Sequence, residues 1–382
     1  MSRRRGVPSA RRLQVLHVSV PTSEGTAQAA LSYIRDQLSR GWGVTVACPS
    51  TGWLAYSARE LGADVAWFPA TRNPGPSVLD ETSRMASIVA RHRPDLVHLH
   101  SSKAGLVGRL AVRRRIPTIF QPHAWSFLAG GAASHRLALR WEQIGARWTD
   151  QLICVGEGEA RIARELGINS PASVIPNGVD LQRFTRADED ERRVARIELG
   201  LPDVPTVVCV GRLAEQKGQR LLLDAWRLVE RSIGGVHLVL VGEGPDRAQL
   251  EEKARSRHHV TFVGSRTDVP RWLAAADFVV FPSTYEGAAL APLEAMAVGR
   301  CVIASWIQGI EESVPYECGA LVDPGNVEAL AEAILVRLRS PEVAADEGAR
   351  GWQHVTAHRD AAEAARRVTQ VSLSLLASRR RR

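Results

Sequence analysis

The stretch Thr206-Val-Val-Cys-Val-Gly-Arg-Leu-Ala-Glu-Gln-Lys-Gly218 decides the fold. Its apolar run shows no polar alternation, so it reads as a strand covered on both faces. Gly211 ends the run, and helical spacing resumes over Gln219–Glu230. Strand, glycine turn and helix in that order are the unit of a parallel α/β sheet.

The same unit recurs in both directions along the chain. Downstream, strand-like runs appear at Val236–Val241, Val260–Val263, Phe278–Phe281, Cys301–Ala304 and Ala320–Val322, with helices between them. Upstream, Leu13–Val18, Gly43–Cys48, Asp64–Phe68, Asp95–His100, Pro117–Phe120 and Gln151–Val155 form an earlier series. Helical stretches at Glu24–Arg40, Val78–Arg91, Lys103–Arg114 and His135–Trp148 separate them. The earlier series closes near Val174-Ile-Pro-Asn-Gly-Val-Asp180, and the charge-dense Arg186–Arg196 follows. The fold class is therefore α/β: two doubly wound, Rossmann-like domains with a cleft between them as the expected ligand site. The boundaries expected are 1–185 for the first domain and 186–355 for the second, with 356–382 a C-terminal helix and basic tail.

Two segments carry the chemistry of the second domain. Arg212 and Lys217 stand at a strand end beside a helix N-terminus, where two cations and the helix dipole suit a diphosphate. Lysine is scarce here (only Lys103, Lys217 and Lys253 in 382 residues), which singles out Lys217. The second segment is Glu286-Gly-Ala-Ala-Leu-Ala-Pro-Leu-Glu294. Glu286 falls in a loop and Glu294 about one turn into a helix; the amides from Gly287 to Leu290 suit a phosphate and Glu294 a ribose diol. A solvated loop that merely caps the helix is the competing reading of the first segment, and one helix-initiating glutamate with one surface glutamate that of the second. The turn Val241-Gly-Glu-Gly-Pro245, with Glu243 at its centre, reads either as bringing backbone close to a ligand base or the next helix, or as a tight turn and nothing more.

In the first domain His123 lies just past a strand end in Gln121-Pro-His-Ala-Trp-Ser-Phe127, where an imidazole can hydrogen-bond a substrate. His98 and His100, inside a strand run, read as structural. Asp188-Glu-Asp190 imitates a metal-binding Asp-x-Asp, but it sits in alternating charge with no strand before it and reads as solvated helix surface. Sequence spacing shows no metal-ligand cluster, so no metal cofactor is expected. The five cysteines are scattered, with no Cys-x-x-Cys, and read as buried reduced thiols.

Together these segments resemble glycosyltransferase family 4, the retaining transferases of two Rossmann-like domains known as GT-B. The resemblance runs from about Leu13 to Leu338. It rests on Gly211-Arg212 with Lys217-Gly218, on Glu286 with Glu294, and on Ile175-Pro-Asn-Gly-Val-Asp180 ahead of Phe184. His100-Ser-Ser-Lys-Ala-Gly105 is similar to members that build capsular, exopolysaccharide or lipid-linked glycans. The resemblance implies a nucleotide-sugar donor on the second domain and a glycan or polyprenyl-linked acceptor mainly on the first. Arg212 and Lys217 would neutralise the leaving diphosphate without a metal, and Glu286 would contact the transferred sugar. His123 would meet the sugar's hydroxyls, and Glu294 the ribose. Gly25, Gly211, Glu243, Gly287 and Leu290 would complete the donor site, and His100, Ser101, Ser102 and Lys103 would lie on the acceptor side. Three departures stand out: Ser23-Glu-Gly25 leaves only Gly25 of a glycine pair, Ala124 replaces a common glycine, and Gln308-Gly-Ile-Glu-Glu312 replaces a glycine pair and a proline. The rival reading is a nucleotide-sugar epimerase of the same fold.

Composition narrows the remaining classes. With 45% hydrophobic and 24% charged residues the chain is of globular type. No apolar run approaches the roughly 20 residues of a membrane span, and the N-terminus lacks a cleavage-site pattern, so a cytoplasmic protein is expected. There is no Gly-x-Gly-x-x-Gly after the first strand for a dinucleotide, and no recognition motif for a nucleic acid. The net charge of +8 is uneven: residues 1–180 hold 22 Lys+Arg against 13 Asp+Glu, and 181–382 hold 27 against 28. Arg3–Arg5, Arg11–Arg12, Arg113–Arg115 and Arg379–Arg382 raise the expectation of peripheral contact with an anionic membrane surface; the alternative is a soluble small-molecule acceptor, with the arginines serving only solubility.

Overall fold

A computed structural model describes residues 11–382 apart from Ser23, Thr51, Arg72, Asn73, Ala129, Gly130, Gly131, Ser256, His258, Ala288 and Arg382. Arg3–Arg5 and Arg382 of the basic clusters lie outside the described residues. By its contacts the chain divides into two compact units.

The first unit holds seven parallel strands: β1 (Gln14–Ser19), β2 (Gly43–Cys48), β3 (Asp64–Trp67), β4 (Leu96–His100), β5 (Thr118–Gln121), β6 (Gln151–Cys154) and β7 (Ala172–Val174). Their order is β3-β2-β1-β4-β5-β6-β7. Helices α1 (Glu24–Ser39), α2 (Trp53–Glu60), α3 (Val78–His92), α4 (Ser102–Val112), α5 (Ala132–Gly145) and α6 (Glu157–Glu165) form the crossovers. One face of the sheet buries Leu16, Val18, Val97, Leu99 and Phe120 in an apolar core. The alternate positions of β1 and β4 point to the other face and hold His17, His98 and His100.

The second unit opens with α7 (Glu189–Glu198). It continues through β8 (Thr206–Val210), α8 (Gln219–Ser232), β9 (His237–Val241), α9 (Arg247–Ala254), β10 (Val260–Gly264), α10 (Val269–Ala275) and β11 (Phe278–Phe281). Then come α11 (Leu290–Ala297), β12 (Cys301–Ser305), β13 (Gly319–Val322), α12 (Val327–Arg339) and α13 (Pro341–His358). The six-stranded sheet has the order β10-β9-β8-β11-β12-β13. Alternate residues enter two separate cores. Val208, Val239 and Val279 face one; Val207, Leu238 and Val280 face the other. Burial on both faces is why these strands read as unbroken apolar runs.

The boundary expected after residue 185 falls after Ile175 instead. Val179 donates to the Arg359 carbonyl at 2.8 Å and accepts from the Ala361 amide at 3.0 Å. Phe184 and Ala187 are buried in a core of the second unit, so residues 176–185 belong with it. The end expected at 355 also moves, because α13 runs on to His358 and this unit extends to Ala364. Residues 155–159 join it too, since the Glu312 carboxylate accepts from the amides of Glu157 at 2.6 Å and Gly158 at 2.7 Å.

The last helix, α14 (Ala361–Arg380), has its residues from Ala365 onward in the first unit. There Thr369 donates to Asp36 at 2.6 Å, Arg367 to the Val174 carbonyl at 2.8 Å and Arg379 to Asp150 at 2.5 Å. All five cysteines are buried and none forms a disulfide, and burial pushes the Cys209 thiol up to about 12.

Glycine is obligatory where loops meet at strand ends. Gly218 has φ of 68°, and a Cβ there would stand 1.9 Å from the Pro282 carbonyl oxygen. Gly235 has nearly the same φ, 66°, but open space around it. Gly235→Ala should therefore lose only the left-handed backbone cost of about 1–2 kcal/mol. Gly218→Ala must also displace a carbonyl and should lose clearly more in denaturant unfolding; equal losses would contradict the contact.

Candidate active site

In each sheet the direction of winding reverses once, between β1 and β4 and between β8 and β11. Adjacent crossovers leave such a point on opposite faces, which opens a crevice at the carboxyl ends of the two strands. The residues singled out by sequence cluster at these two reversals.

In the second unit, the loop after β8 and the loop after β11 are tied together. The Thr284 amide donates to the Gln216 carbonyl at 2.8 Å, and Gln216 Nε2 donates to the Tyr285 carbonyl at 3.0 Å. With Gly218 permitting close approach, Lys217 Nζ comes within 2.6 Å of Glu286 Oε1. This joins two residues that sequence treated as members of separate motifs. Arg212 is half-buried at the start of the first loop, and its carbonyl accepts from Gln219 at 3.0 Å.

The turn after β9 forms the adjoining wall. A Cβ on Gly242 would stand 1.9 Å from the Gly211 carbonyl oxygen, and one on Gly244 would stand 2.1 Å from that of Leu213. The Leu213 amide donates to the Glu243 carbonyl at 2.9 Å, while the Glu243 carboxylate pairs with Arg247. Glu243 thus serves this wall through its backbone. Gly309, at φ of 85°, keeps its place against the Gly287 carbonyl despite the altered motif around it.

Most helices of the chain begin without a side-chain cap, and the two at this reversal are among them. Neither α8 nor α11 has a side-chain cap, so amides of the first turn are left for a ligand or water. By contrast Asp188 caps α7, accepting from the Glu191 amide at 2.9 Å within a reciprocal capping box. Asp188 is thereby a helix cap, and Asp190 pairs with Arg193 on an exposed surface. Leu290 is the first residue of α11, and Glu294, one turn later, is buried.

In the first unit, His123 follows β5 with φ of 58°, Ala124 has φ of 150°, and Ser101, after β4, has φ of 76°. Each is a non-glycine residue in a region that favours glycine, at about 1–3 kcal/mol apiece, a kind of strain found at ligand sites. His123 touches His100 through Nε2···Nδ1 at 3.3 Å. His100 Nε2 lies 2.9 Å from His17 Nδ1, and His17 Nε2 lies 2.8 Å from Gln37 Oε1.

Two sequence expectations for the acceptor side do not survive. Lys103 is not a surface cation: its ammonium is buried 2.7 Å from the buried Glu81 carboxylate. His100 is also fully buried, inside the histidine cluster. Ser101 and Ser102 remain half-exposed, and Gly25 is the second residue of α1.

Sequence missed His17 and Gln37. The signal was available in part: His98-Leu-His100 puts two imidazoles on one face of a strand. The pairing of His17 with His98 across β1 and β4 exists only in the fold. Sequence spacing showed no metal-ligand cluster, yet His17, His98 and His100 bring ring nitrogens within 4.8 Å of one another. Their rings are stacked, with centroids 4.1 Å apart for His98–His100 and 5.2 Å for His17–His100. His17 and His100 each already share ring nitrogens in hydrogen bonds, so the cluster is a hydrogen-bonded stack of imidazoles.

Comparison with known proteins is consistent with this geometry. The model of Glycosyltransferase Family 4 matches residues 23–183, and that of Glycosyl transferases group 1 matches residues 204–340. A UDP-Gal:alpha-D-GlcNAc-diphosphoundecaprenol alpha-1,3-galactosyltransferase of Escherichia coli is 30% identical over 353 residues, 87% of this chain and 89% of that protein. The chain belongs to glycosyltransferase family 4 and is a transferase.

A GDP-mannose-dependent alpha-(1-6)-phosphatidylinositol monomannoside mannosyltransferase of Mycobacterium tuberculosis is also 30% identical, over 88% of this chain and 91% of its own length. Among solved structures, Anabaena Alr3699/HepE in complex with UDP and glucose superposes with a TM-score of 0.83 at 21% identity, covering 95% of this chain and all of that one. That likeness shows the GT-B fold. The epimerase alternative finds no support among these relatives. Among the described residues no helix is long and apolar enough to cross a membrane.

The histidines make stability depend on pH. Burial holds His17 down at about 4, against the opposing hydrogen bond with Gln37. Burial also holds His123 at about 3, and His98 and His100 well below the ordinary range. Their folded pKa values are depressed, so below about pH 6.5 the unfolded chain binds protons that the folded chain refuses. The contribution is complete above pH 6.5 and is lost as pH falls toward the folded values. For His17 alone the loss at pH 5 is about 2 kcal/mol. Thermal unfolding should show Tm falling between pH 7 and pH 5, and falling less in His17→Phe; a Tm flat across that range would contradict it.

Proposed function

We propose that the enzyme transfers a sugar, with retention of anomeric configuration, from a UDP- or GDP-linked donor to a hydroxyl of a glycan or lipid-linked acceptor. Its place would be in polysaccharide or glycoconjugate biosynthesis. The observation that carries the reading is the Lys217–Glu286 pair, 2.6 Å apart at the β8/β11 reversal beside two helices without side-chain caps.

In this reading the donor diphosphate lies against Arg212, Lys217, Gly211 and the first-turn amides of α11 that begin at Leu290. Negative charge builds on the leaving phosphate while the sugar becomes oxocarbenium-like. Fixed cations therefore stabilise the transition state more than the ground state. No divalent ion is required for that neutralisation. Glu286 holds Lys217 in place before donor binding and then faces the transferred sugar with Gly287. Glu294, one helical turn inside α11, accepts from the ribose hydroxyls, and the Glu243 backbone lines the nucleoside.

On the first unit His123 meets the sugar, and Gly25, Ser101 and Ser102 line the acceptor side. By their names the mannosyltransferase relative acts on a phosphatidylinositol monomannoside and the galactosyltransferase on an alpha-D-GlcNAc-diphosphoundecaprenol. Those names and the basic clusters favour a lipid-linked acceptor met at an anionic membrane surface, through reversible binding that salt weakens. Co-sedimentation with anionic vesicles at low salt, absent with neutral vesicles, is the expected behaviour.

Lys217→Ala and Arg212→Ala should each lower kcat by about 100- to 1,000-fold, the loss seen when one preorganised charge-stabilising group is removed. The circular dichroism spectrum and Tm should stay close to those of the parent protein. Activity toward a responsive UDP- or GDP-sugar should survive EDTA, and product anomeric couplings should match those of the donor. Near-normal turnover in either variant would overturn the assignment.

A further inference from the structure

The histidine stack contains more than a buried packing feature. Gln37, His17, His100 and His123 form an unbroken chain in which each member contacts the next through one polar atom. The contacts measure 2.8 Å from Gln37 Oε1 to His17 Nε2, 2.9 Å from His17 Nδ1 to His100 Nε2, and 3.3 Å from His100 Nδ1 to His123 Nε2. They come from α1, β1, β4 and the loop after β5, so the chain begins at a fully buried residue and ends at the strained loop.

A neutral imidazole carries one N–H and one bare nitrogen. In a row of such rings, fixing the proton on one fixes it on all. The Gln37 carbonyl oxygen can only accept, so His17 donates from Nε2 and its Nδ1 is bare. His17 Nδ1 must then accept from His100 Nε2–H, which leaves His100 Nδ1 bare. That nitrogen in turn accepts from His123 Nε2–H. The remaining nitrogen of His123, Nδ1, is left with a lone pair and no proton.

We propose that Gln37, His17 and His100 are positioning residues that hold His123 in its Nε2–H tautomer, so that Nδ1 presents a hydrogen-bond acceptor to a hydroxyl of the transferred sugar. This rests on the reading of His123 as the residue that meets the sugar. It adds a requirement: the sugar must offer an O–H donor at that point, and a group that can only accept is repelled. Burial keeps each ring of the chain neutral at physiological pH, as the one-proton-per-ring pattern needs. His98 stacks on His100 at 4.1 Å and on Tyr33 at 5.9 Å, which fixes the ring planes from the side.

Nitrogen-15 NMR of the full chain with ring-labelled histidine tests the proposal without reference to activity. His123 is assigned by the signals lost in His123→Ala. The expected spectrum gives His123 a bare Nδ1 and a protonated Nε2 at pH 7.5. Gln37→Met removes the terminal acceptor and should give a mixture of both tautomers at His123. It should lower kcat by about two- to ten-fold with little change in donor KM, since a geometry is diluted and no contact to the donor is lost.

A protonated Nδ1 on His123 of the parent protein, the pattern of a reversed Gln37 amide, would overturn the proposal. So would a tautomer unmoved by Gln37→Met, or stoichiometric zinc held by the stack. If Gln37→Met fails to fold, the parent spectrum alone decides. If His123→Ala retains full turnover while the tautomer is as stated, the sugar-contact reading fails and the proton ordering stands.

Discussion

Parallel strands need crossovers, and each crossover must cover a face of the sheet. A sheet wound outward in both directions from its middle therefore has one point where neighbouring connections leave on opposite sides. In the two sheets here that point lies between β1 and β4 and between β8 and β11. The polar ends of loops collect there because the strands themselves are sealed by apolar cores. Lys217, Glu286, His123 and the loop glycines owe their neighbours to this winding, and the chemistry proposed for them depends on it.

Close approach of loops is the second requirement, and it is met by missing side chains. Gly218, Gly242, Gly244 and Gly309 each sit where a Cβ would come within 2.4 Å of a neighbouring carbonyl oxygen. These contacts place the turn after β9 and the loop after β11 on the loop after β8, and the segment after β12 on the loop after β11. The result is a wall of backbone with two side-chain cations and two helix N-termini at its edge. Such a wall suits a ligand recognised through phosphate and ribose, which have fixed shape and charge, and leaves the sugar to residues outside it.

Much of the fold was legible because buried parallel strands leave an unmistakable trace. Twelve of the thirteen strands were visible as apolar runs; the exception, β7, has only three residues, and its burial is slight. α2 and α6 were also unseen: with 8 and 9 residues they are too short for an apolar spacing to repeat more than once or twice. The meeting of the loops after β8 and β11 was legible in part because their charged residues each follow a strand end in sequence order. The acceptor side was less so. The resemblance of His100-Ser-Ser-Lys-Ala-Gly105 implied an acceptor-side Lys103, but Glu81, 22 positions earlier, neutralises it in the interior. The histidine chain joins residues up to 106 positions apart, from His17 to His123, and depends on strand register that no local pattern encodes. Ala124 was noticed as a departure from glycine, and its φ of 150° gives the physical reason glycine is favoured there.

The central claim is that a nucleoside diphosphate binds with its phosphates at the β8/β11 reversal. A crystal structure of the chain with UDP or GDP, whichever it binds, tests this most directly. The account predicts the diphosphate within hydrogen-bonding distance of Lys217 Nζ and the first-turn amides of α11, with Glu294 on the ribose hydroxyls. A diphosphate bound anywhere else, or one that leaves the Lys217–Glu286 pair undisturbed and out of reach, would contradict it.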